Sequence, residues 1–414
     1  MNLPNVVKIK QNFSGPSISN IEETIEQEFQ KSGIDISPGM SIAITAGSRG
    51  IANIATIIRA TVAEVKKRGA HPFIIPAMGS HGGATPDGQL EVLESLGVTE
   101  AYCGAEIRSS LEVVKIGETK AGIAVYVDKF GYESDGIILV NRIKEHTDFS
   151  ATIESGLMKM SSIGLGNHTQ AQAIHTLGVV GIRDHMPDVA NIVLQSGKIL
   201  MGVGIVENAF EETAHLEVIP CTSIPEREKE LLAYSKTLLP RLPVDDLDIL
   251  FVDEIGKDYS GTGMDTNVIG RLRILGTKEP EKPTIDYVIA SKLSEASHGN
   301  ALGIGLADLT TERMFRQVDF QKMNENVITS TFLKRASIPI VLGSDKEAIA
   351  TALRASWGKK PSSIRFIRIP NTLHLGEMYV SESLLPEMQQ RDNIEVIGDL
   401  EEMKFDESGY FLPF

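Results

Sequence analysis

Residues 41–77 read SIAITAGSRGIANIATIIRATVAEVKKRGAHPFIIPA, and two kinds of pattern alternate along them. The apolar run Ser41–Ala46 predicts a buried strand, the 3.6-residue period over residues 51–65 predicts a helix, and residues 72–77 predict a second strand. Alternating strands and helices are typical of a parallel α/β layer. In such layers, ligands lie in the loops that follow the strands.

The same alternation continues along the rest of the chain. Further strands are predicted at residues 136–143, 199–206, 215–219, 247–252, 285–290 and 364–369, and further helices at 184–196, 224–238, 324–336 and 346–356. The run LPRLP at residues 239–243 breaks the helical pattern and is typical of a linker.

These patterns predict two α/β domains with mainly parallel sheets and an active-site cleft between them. Residues 1–240 are expected to form an N-terminal catalytic, cofactor-binding domain, and residues 245–400 a C-terminal domain that closes the substrate cleft. Residues 401–414 are expected to form a C-terminal tail that packs back on the first domain.

Composition limits the class of protein. The 414 residues exceed what one core usually covers, and 42% hydrophobic with 23% charged residues is typical of a folded globular chain. A net charge of −15 repels phosphate backbones and anionic lipids, which argues against nucleic acid and membrane as partners. With no leader-like segment and no long apolar run, a cytoplasmic location is expected. Two cysteines cannot form a thiolate-rich zinc site.

A glycine-flanked histidine follows the second predicted strand, in the run MGSHGGATPD at residues 78–87. Thr85 is suited to cap the next helix and Pro86 to start it, so His81 lies in the loop between strand and helix. One interpretation is a tight turn in which the imidazole only bonds the backbone. The other is a general acid/base, because histidine takes up and releases a proton near neutral pH.

The strand predicted at residues 136–143 ends in a second polar cluster, NRIKEHTDF at residues 141–149. Arg142, Lys144 and His146 alternate along the chain, so they point to one side if the strand continues. Two cations and an imidazole on one side suit an anionic substrate or a phosphate. The alternative is a solvated strand end with an ion pair.

Lysine and histidine candidates continue in the run ESGLMKMSSIGLGNH at residues 154–168. Lys159, between two methionines, either extends to solvent or is used chemically. His168 and His175 are seven residues apart, which places them on one face of an unbroken helix, and either is a candidate metal ligand. The glycine pairs here complete neither a dinucleotide fingerprint nor a P-loop.

Together these segments resemble the nickel-dependent lactate racemase family, which includes other hydroxyacid racemases and epimerases. The resemblance rests on the motifs NRxKxHTDF, ESGLMKM, IGLG, DEIGK, SGTGMD and HGN, which follow one another between residues 141 and 300. Short motifs in a constant order are far more specific than any one of them. The resemblance extends over essentially the whole chain.

The resemblance implies a cofactor, the nickel-pincer nucleotide, a pyridinium bisthiocarboxylic acid mononucleotide. In this family the nucleotide is attached to a lysine, which corresponds to Lys159, and its nickel is bound by one histidine. That histidine corresponds to His175, with His168 as a nearby competitor. Ser48 and Arg49 fall in the loop that contacts the cofactor phosphate, although the neighbouring aspartate and the threonine-arginine-proline run of lactate racemase are missing.

The resemblance also implies the reaction, racemisation or epimerisation of a 2-hydroxy acid or sugar acid. His81 and His146 correspond to the two proton-transfer histidines, which exchange the hydroxyl proton while the cofactor accepts the carbon-bound hydrogen as hydride. Lys144 is expected beside the cofactor and is also a candidate cation for the substrate carboxylate. The expected substrate contacts of the second domain are Lys257, Arg273, His298 and Asn300. Lys257 and Arg273 are also compatible with ordinary surface charges.

The substrate and some alternatives stay open at this point. Ile269, Gly270 and Arg273 stand where lactate racemase presents a tyrosine, a glutamine and a lysine. Expected partners are a small hydroxy acid and the proteins that synthesise the cofactor, and a homo-oligomer is compatible with the sequence. Two other functions are a cofactor-independent sugar-acid isomerase or lyase, and a non-catalytic binding protein for an anionic metabolite.

Overall fold

The structure, a computed structural model, describes residues 2–48, 50–178 and 181–414. The chain divides into two compact units: an N-terminal unit of residues 14–239, and a C-terminal unit of residues 1–13 and 240–414. The strands are, in chain order, β1 Val6–Gln11, β2 Ser41–Ala46, β3 His71–Pro76, β4 Val113–Glu118, β5 Ala124–Asp128, β6 Gly136–Arg142, β7 Ile199–Glu207, β8 Thr213–Pro220, β9 Asp246–Ile255, β10 Thr284–Leu293, β11 Leu309–Thr311, β12 Ile340–Leu342, β13 Phe366–Ile369, β14 Glu377–Ser381 and β15 Ile394–Val396.

Helices connect most of these strands. The α-helices are Ile21–Ser32, Ile54–Lys67, Pro86–Ser95, Glu100–Cys103, Lys129–Glu133, Gly156–Lys159, Asn167–His175, Met186–Gln195, Ile224–Leu238, Thr266–Ile269, Glu312–Arg316, Phe320–Ser330, Asp345–Ala355 and Leu385–Met388. Two π turns, Met160–Gly164 and Gly181–His185, extend helical segments of the N-terminal unit. No described helix combines the length and the apolar composition that a membrane span requires.

The N-terminal unit is built on a five-stranded sheet in the order β3-β2-β6-β7-β8. The first four strands are parallel, and β8 runs antiparallel to β7. On one face, Ile42 and Ile44 of β2 belong to the same core cluster as Ile57 of the helix Ile54–Lys67. From the helix Gly156–Lys159, Leu157 packs against Gly202 of β7, outside that cluster. Helices therefore cover both faces of a mostly parallel sheet.

The strand order creates a switch point at β2. The chain runs from β2 to β3 on one side, and β6 pairs with β2 on the other side. Because β2, β3 and β6 are parallel, the loops that follow them leave the sheet at the same edge. Ligands of open α/β sheets bind at such a point. The candidate ligand-binding loops are therefore residues 47–50, 77–85 and 143–155.

The C-terminal unit contains an eight-stranded sheet in the order β12-β11-β10-β9-β13-β14-β1-β15. The five strands from β12 to β13 are parallel, and β14, β1 and β15 continue the sheet antiparallel. Alternate residues of β9 belong to different cores: Leu250 and Val252 to one cluster, Ile249 and Phe251 to another. This sheet is also covered on both faces.

The predicted fold class is confirmed, since the structure is mixed α/β with mostly parallel sheets. The expected boundaries differ at the two ends. Residues 6–11 form β1 in the sheet of the C-terminal unit, because the antiparallel edge there offers β14 and β15 as partners. The tail also packs in this unit: the Phe411 ring lies 5.0 Å from that of Phe251 and 4.0 Å from the Arg368 guanidinium.

Two further elements differ from the prediction. The helix expected at residues 324–336 ends at Ser330, and Thr331 adopts a left-handed conformation with φ +65° before a short turn at Leu333–Ala336. The antiparallel hairpin β4–β5 was not predicted, because its strands are short and half-exposed and lack a clear alternation.

Candidate functional site

The candidate site lies at the carboxyl edge of the N-terminal sheet. Ser48 follows β2, His81 follows β3 and His146 follows β6. Because β2 lies between β3 and β6, the two histidine-bearing loops start two strand spacings apart, roughly 10 Å. Oγ of Ser48 lies 2.6 Å from Nδ1 of His81. The loops after all three strands therefore meet at one edge, where His81 is already oriented by a neighbouring loop.

Glycines and a helix cap hold the His81 loop. As predicted, Pro86 starts the next helix, and the hydroxyl of Thr85 accepts the N–H of Gly88 at 3.1 Å. Gly82 has φ +67°, and a Cβ there would lie 2.6 Å from the backbone nitrogen of Gln89. A Cβ on Gly88 would collide with the carbonyl oxygen of Gly82. The loop is therefore folded back tightly on the helix, and His81 itself stays exposed.

The His146 loop begins where β6 ends, at Arg142. The Arg142 guanidinium pairs with Glu207. Because the strand ends at Arg142, it does not continue through His146, and the condition for Arg142, Lys144 and His146 to point to one side is not met. The N–H of Lys144 donates to Oγ of Ser155 at 2.8 Å, and that hydroxyl donates to the carbonyl of Lys144. These two bonds close residues 144–155 into a loop, so the backbone of Lys144 is part of the loop base.

A buried carboxylate that sequence reasoning missed organises this loop. Glu154 is 1% exposed, and its Oε2 accepts the N–H of His146 at 2.8 Å. Its Oε1 accepts the N–H of Ala151 at 3.0 Å and pairs with Nζ of Lys236 at 2.6 Å. The local sequence carries no signal for this, because glutamate is almost never fully buried unless it is paired, and the partner Lys236 is 82 residues further along the chain.

Lys159 and His146 are in direct contact. Lys159 is the last residue of the helix Gly156–Lys159, and its Nζ lies 2.8 Å from Nε2 of His146. Nδ1 of His146 accepts the N–H of Asp148 at 3.1 Å, and the ring stacks on Phe149. The direction of the bond between Nε2 and Nζ depends on the tautomer of the ring and on the protonation of the amine. An imidazole at this distance can exchange a proton with the amine of Lys159, whose unprotonated form acts as a nucleophile.

His175 ends the helix Asn167–His175, which is unbroken from His168 onward, as predicted. The ring reaches solvent, yet the protein packed around it lowers its pKa below the ordinary value of 6.5. A positive charge on Lys159 acts in the same direction, and the carboxylate of Asp148 opposes it. His175 is therefore neutral at neutral pH, which is the form that binds a metal ion.

Small residues bring the loops after β2 and β3 against the segment that carries Lys159 and His175. A Cβ on Gly47 would lie 3.3 Å from Cε of Met160, and one on Gly79 would lie 3.3 Å from Cβ of Ala171. Five predicted residues are therefore grouped in this region of the N-terminal unit, namely Ser48, His81, His146, Lys159 and His175. The remaining phosphate-loop candidate, Arg49, lies outside the described residues.

In the C-terminal unit, three of the four predicted substrate contacts lie at the carboxyl edge of the sheet. Lys257 follows β9, and its N–H donates to Oγ of Ser297 at 2.8 Å, next to His298. The side chain of Asn300 makes a hydrogen bond within its own loop, in which its Oδ1 accepts the N–H of Leu302 at 3.2 Å. Lys257, His298 and Asn300 therefore share one group of loops.

Arg273 does not join that group, which corrects the prediction. Its Nη2 lies 2.9 Å from Oδ1 of Asp308, and Asp308 immediately precedes β11. Gly270 packs against the carbonyl of Pro283, just before β10. Arg273 therefore lies toward the amino ends of the parallel strands, where an ion pair holds its guanidinium.

In the part of the chain that the structure describes, no group of three or more His, Cys, Asp or Glu side chains is arranged to hold a metal ion. The donor set around Lys159 consists of an amine and imidazoles. Such a set suits a metal that is mainly held by a cofactor and takes one histidine from the protein.

Comparisons with known proteins agree with this picture. Residues 20–185 match the family model of the lactate racemase N-terminal domain. The fold is similar to that of the lactate racemase apoprotein from Thermoanaerobacterium thermosaccharolyticum, with a TM-score of 0.52 and 10% sequence identity, over 89% of this chain and 98% of that one. No curated protein matches the sequence. The part of the chain that matches this family model, residues 20–185, holds all the grouped site residues.

Proposed function

We propose that this protein is a racemase or epimerase that inverts the hydroxyl-bearing carbon of a 2-hydroxy acid or a sugar acid. The observation that carries the proposal is the contact between Nζ of Lys159 and Nε2 of His146, 2.8 Å apart at the sheet edge where His81 also lies. An amine beside an imidazole, with a second imidazole on a neighbouring loop, supplies both an attachment point and two proton carriers.

The residues fit the nickel-pincer nucleotide. Lys159 offers a primary amine for covalent attachment, and His175 is a neutral imidazole that would bind nickel. The loop after β2, which includes Ser48, would contact the phosphate, since such loops in α/β folds present backbone N–H groups to anions. When bound, the nucleotide supplies an electron-poor ring that accepts a hydride from carbon.

The side chains of this chain move the proton and bind the substrate. His81 and His146 take the hydroxyl proton from one enantiomer and return it to the other, since an imidazole can both accept and donate a proton. Ser48 holds the His81 ring through Nδ1. Lys144 provides a cation beside His146, and we propose Lys257, His298 and Asn300 as substrate contacts in the C-terminal unit.

The test is an inversion assay on protein produced together with the cofactor-synthesis proteins and nickel. A panel of single-enantiomer 2-hydroxy acids and aldonic acids is incubated with the protein, and the products are separated on a chiral column. We expect inversion of at least one acid, an intact mass above that of the chain, and loss of both with Lys159→Ala. Lys120→Ala, at an exposed site, is the matched control.

Other outcomes separate the alternatives. Inversion without added mass would identify a cofactor-independent isomerase. Binding of an acid that survives His81→Ala and His146→Ala, without any turnover, would identify a binding protein. Either result contradicts the proposal.

A further inference from the structure

Glu228 lies on the buried side of the helix Ile224–Leu238 and contacts the helix that ends in Lys159. The residue is 1% exposed, and its Oε2 accepts the N–H of Leu157 at 2.5 Å and the N–H of Met158 at 3.0 Å. First-turn amides of a helix have no acceptor within the helix. Glu228 supplies that acceptor from an element about seventy residues further along the chain.

The approach is so close that position 156 must be glycine. A Cβ on Gly156 would lie 2.6 Å from Oε2 and 2.9 Å from Oε1 of Glu228, and its φ of +82° is in the left-handed region. From the other side, Nδ2 of Asn141 donates to the carbonyl of Gly156 at 2.8 Å. The start of the helix is thus held between β6 and the helix Ile224–Leu238.

Glu228 buries a carboxyl group that is only partly hydrogen-bonded. Its Oε1 has no hydrogen-bond partner within the described part of the chain. Burial raises the pKa of Glu228 to about 8, although the two backbone N–H groups act to lower it. A leucine would fill a similar volume but would leave the two amides without their acceptor. What the carboxyl adds is a directed contact to the two amides, which packing does not provide.

That contact acts on Lys159 through very few bonds. Lys159 directly follows Met158, and the π turn Met160–Gly164 directly follows Lys159, so regular α-helical bonding ends at the lysine. By holding these two amides, Glu228 therefore fixes the helical backbone that directly precedes Lys159. From this anchored backbone the side chain extends to His146.

We propose that Glu228 is a positioning residue for Lys159: its carboxyl holds the first turn of the lysine helix and thereby keeps Nζ against Nε2 of His146, in the orientation needed for attachment of the cofactor. The inference rests on the proposed function, which makes Lys159 the attachment point. Its physical content, that the environment of the amine depends on Glu228, is measurable without the cofactor.

The experiment is competitive acetylation of the full chain without cofactor. Acetic anhydride at trace level labels the lysines over a pH series, and peptide mass spectrometry compares Lys159 with the exposed Lys278 in the same sample. Glu228→Leu removes the acceptor but keeps the volume, and Glu228→Gln keeps the acceptor. Glu226→Leu, at an exposed position of the same helix, is the control.

We expect Glu228→Leu to change the labelling rate of Lys159 roughly tenfold, or to shift its midpoint by about one pH unit. Glu228→Gln and Glu226→Leu should keep the wild-type profile. The inference is overturned if folded Glu228→Leu labels like the wild type, or if Glu228→Gln shifts the profile equally. Should Glu228→Leu fail to fold, Glu228→Asp, which withdraws the carboxyl by one methylene, is judged by the same criterion.

The labelling experiment tests the role of Glu228 and the inversion assay tests the proposed function, so either proposal can be refuted without the other. A wild-type protein that inverts no acid, while Glu228→Leu alters the labelling of Lys159, refutes the proposed function and leaves the role of Glu228. An active wild type with unaltered labelling in Glu228→Leu refutes the role of Glu228 alone.

Discussion

Nζ of Lys236 lies 2.6 Å from Oε1 of Glu154, a carboxylate whose side chain is 1% exposed. Glu154 also accepts the N–H groups of His146 and Ala151. Through Lys236, the helix Ile224–Leu238 therefore forms an ion pair with the loop that carries a candidate catalytic histidine. Glu228 lies on the same helix. The helix Ile224–Leu238 therefore contacts both the helix that carries Lys159 and the carboxylate that holds the His146 loop.

Lys236→Met is expected to lower the free energy of unfolding by about 1–3 kcal/mol, because it leaves the Glu154 carboxylate buried without its cation. The amide of His146 should also exchange with solvent faster. Urea denaturation and hydrogen exchange measure the two effects. Lys229→Met, which removes an exposed pair with Glu226, should change the stability by less than about 1 kcal/mol. Equal effects of the two substitutions would contradict this role of Lys236.

Gly88→Ala is expected to displace the His81 loop, because the new Cβ would collide with the carbonyl oxygen of Gly82. We expect a loss of stability of roughly 2–4 kcal/mol, typical of strain in a packed backbone. Gly376→Ala is the control, since a Cβ there has no neighbour within 4 Å. Thermal unfolding, together with the NMR signals of His81, measures the effect. A Gly88→Ala protein with wild-type stability would show that the loop is not held in this way.

The raised pKa of Glu228 predicts a pH-dependent difference between the wild type and Glu228→Gln. The folded chain keeps the proton up to about pH 8, whereas the unfolded chain releases it near 4.5, the ordinary value. Between these values the unfolded state binds fewer protons, so the contribution of Glu228 to stability falls as the pH rises. The stability of Glu228→Gln relative to the wild type should therefore rise across this window, by up to roughly 3–5 kcal/mol.

Denaturation of both proteins over a pH series tests this difference. A constant difference between pH 4.5 and 8 would mean that Glu228 titrates in the folded chain as it does in the unfolded chain. A difference that falls with pH would mean that the carboxylate is stabilised in the fold, contrary to its apolar surroundings.

Removal of one histidine should release nickel selectively. In protein produced with the cofactor, His175→Ala is expected to reduce bound nickel about tenfold or more, because the neutral imidazole of His175 is the proposed protein ligand. His168→Ala, at the other end of the same helix, is the matched control and should keep the metal. Metal analysis of the purified proteins measures the ratio of nickel to chain. Loss of nickel with His168→Ala instead would transfer the ligand role to His168.

Local sequence patterns were reliable where a residue's role depends on its near neighbours. The apolar run of β2, the helical period that follows and the cap formed by Thr85 and Pro86 depend on contacts within a few residues, and all three are present in the structure. The position of His81 and His146 after parallel strands follows from the same alternation. The pattern was misleading for Arg273, since the sequence does not reveal that Asp308 would hold its guanidinium.

The amino-acid order thus sufficed for the α/β class, for the strand-end location of the candidate histidines and for Lys159 as their companion. It did not suffice for the groups that orient them, because the contact of Lys236 with Glu154 and that of Glu228 with the helix of Lys159 span 70 to 82 residues of chain. A local pattern records whether a position is buried or exposed. Whether a buried carboxylate meets a cation or a pair of helix amides is settled by the packing of remote elements, and that packing exists only in the folded chain.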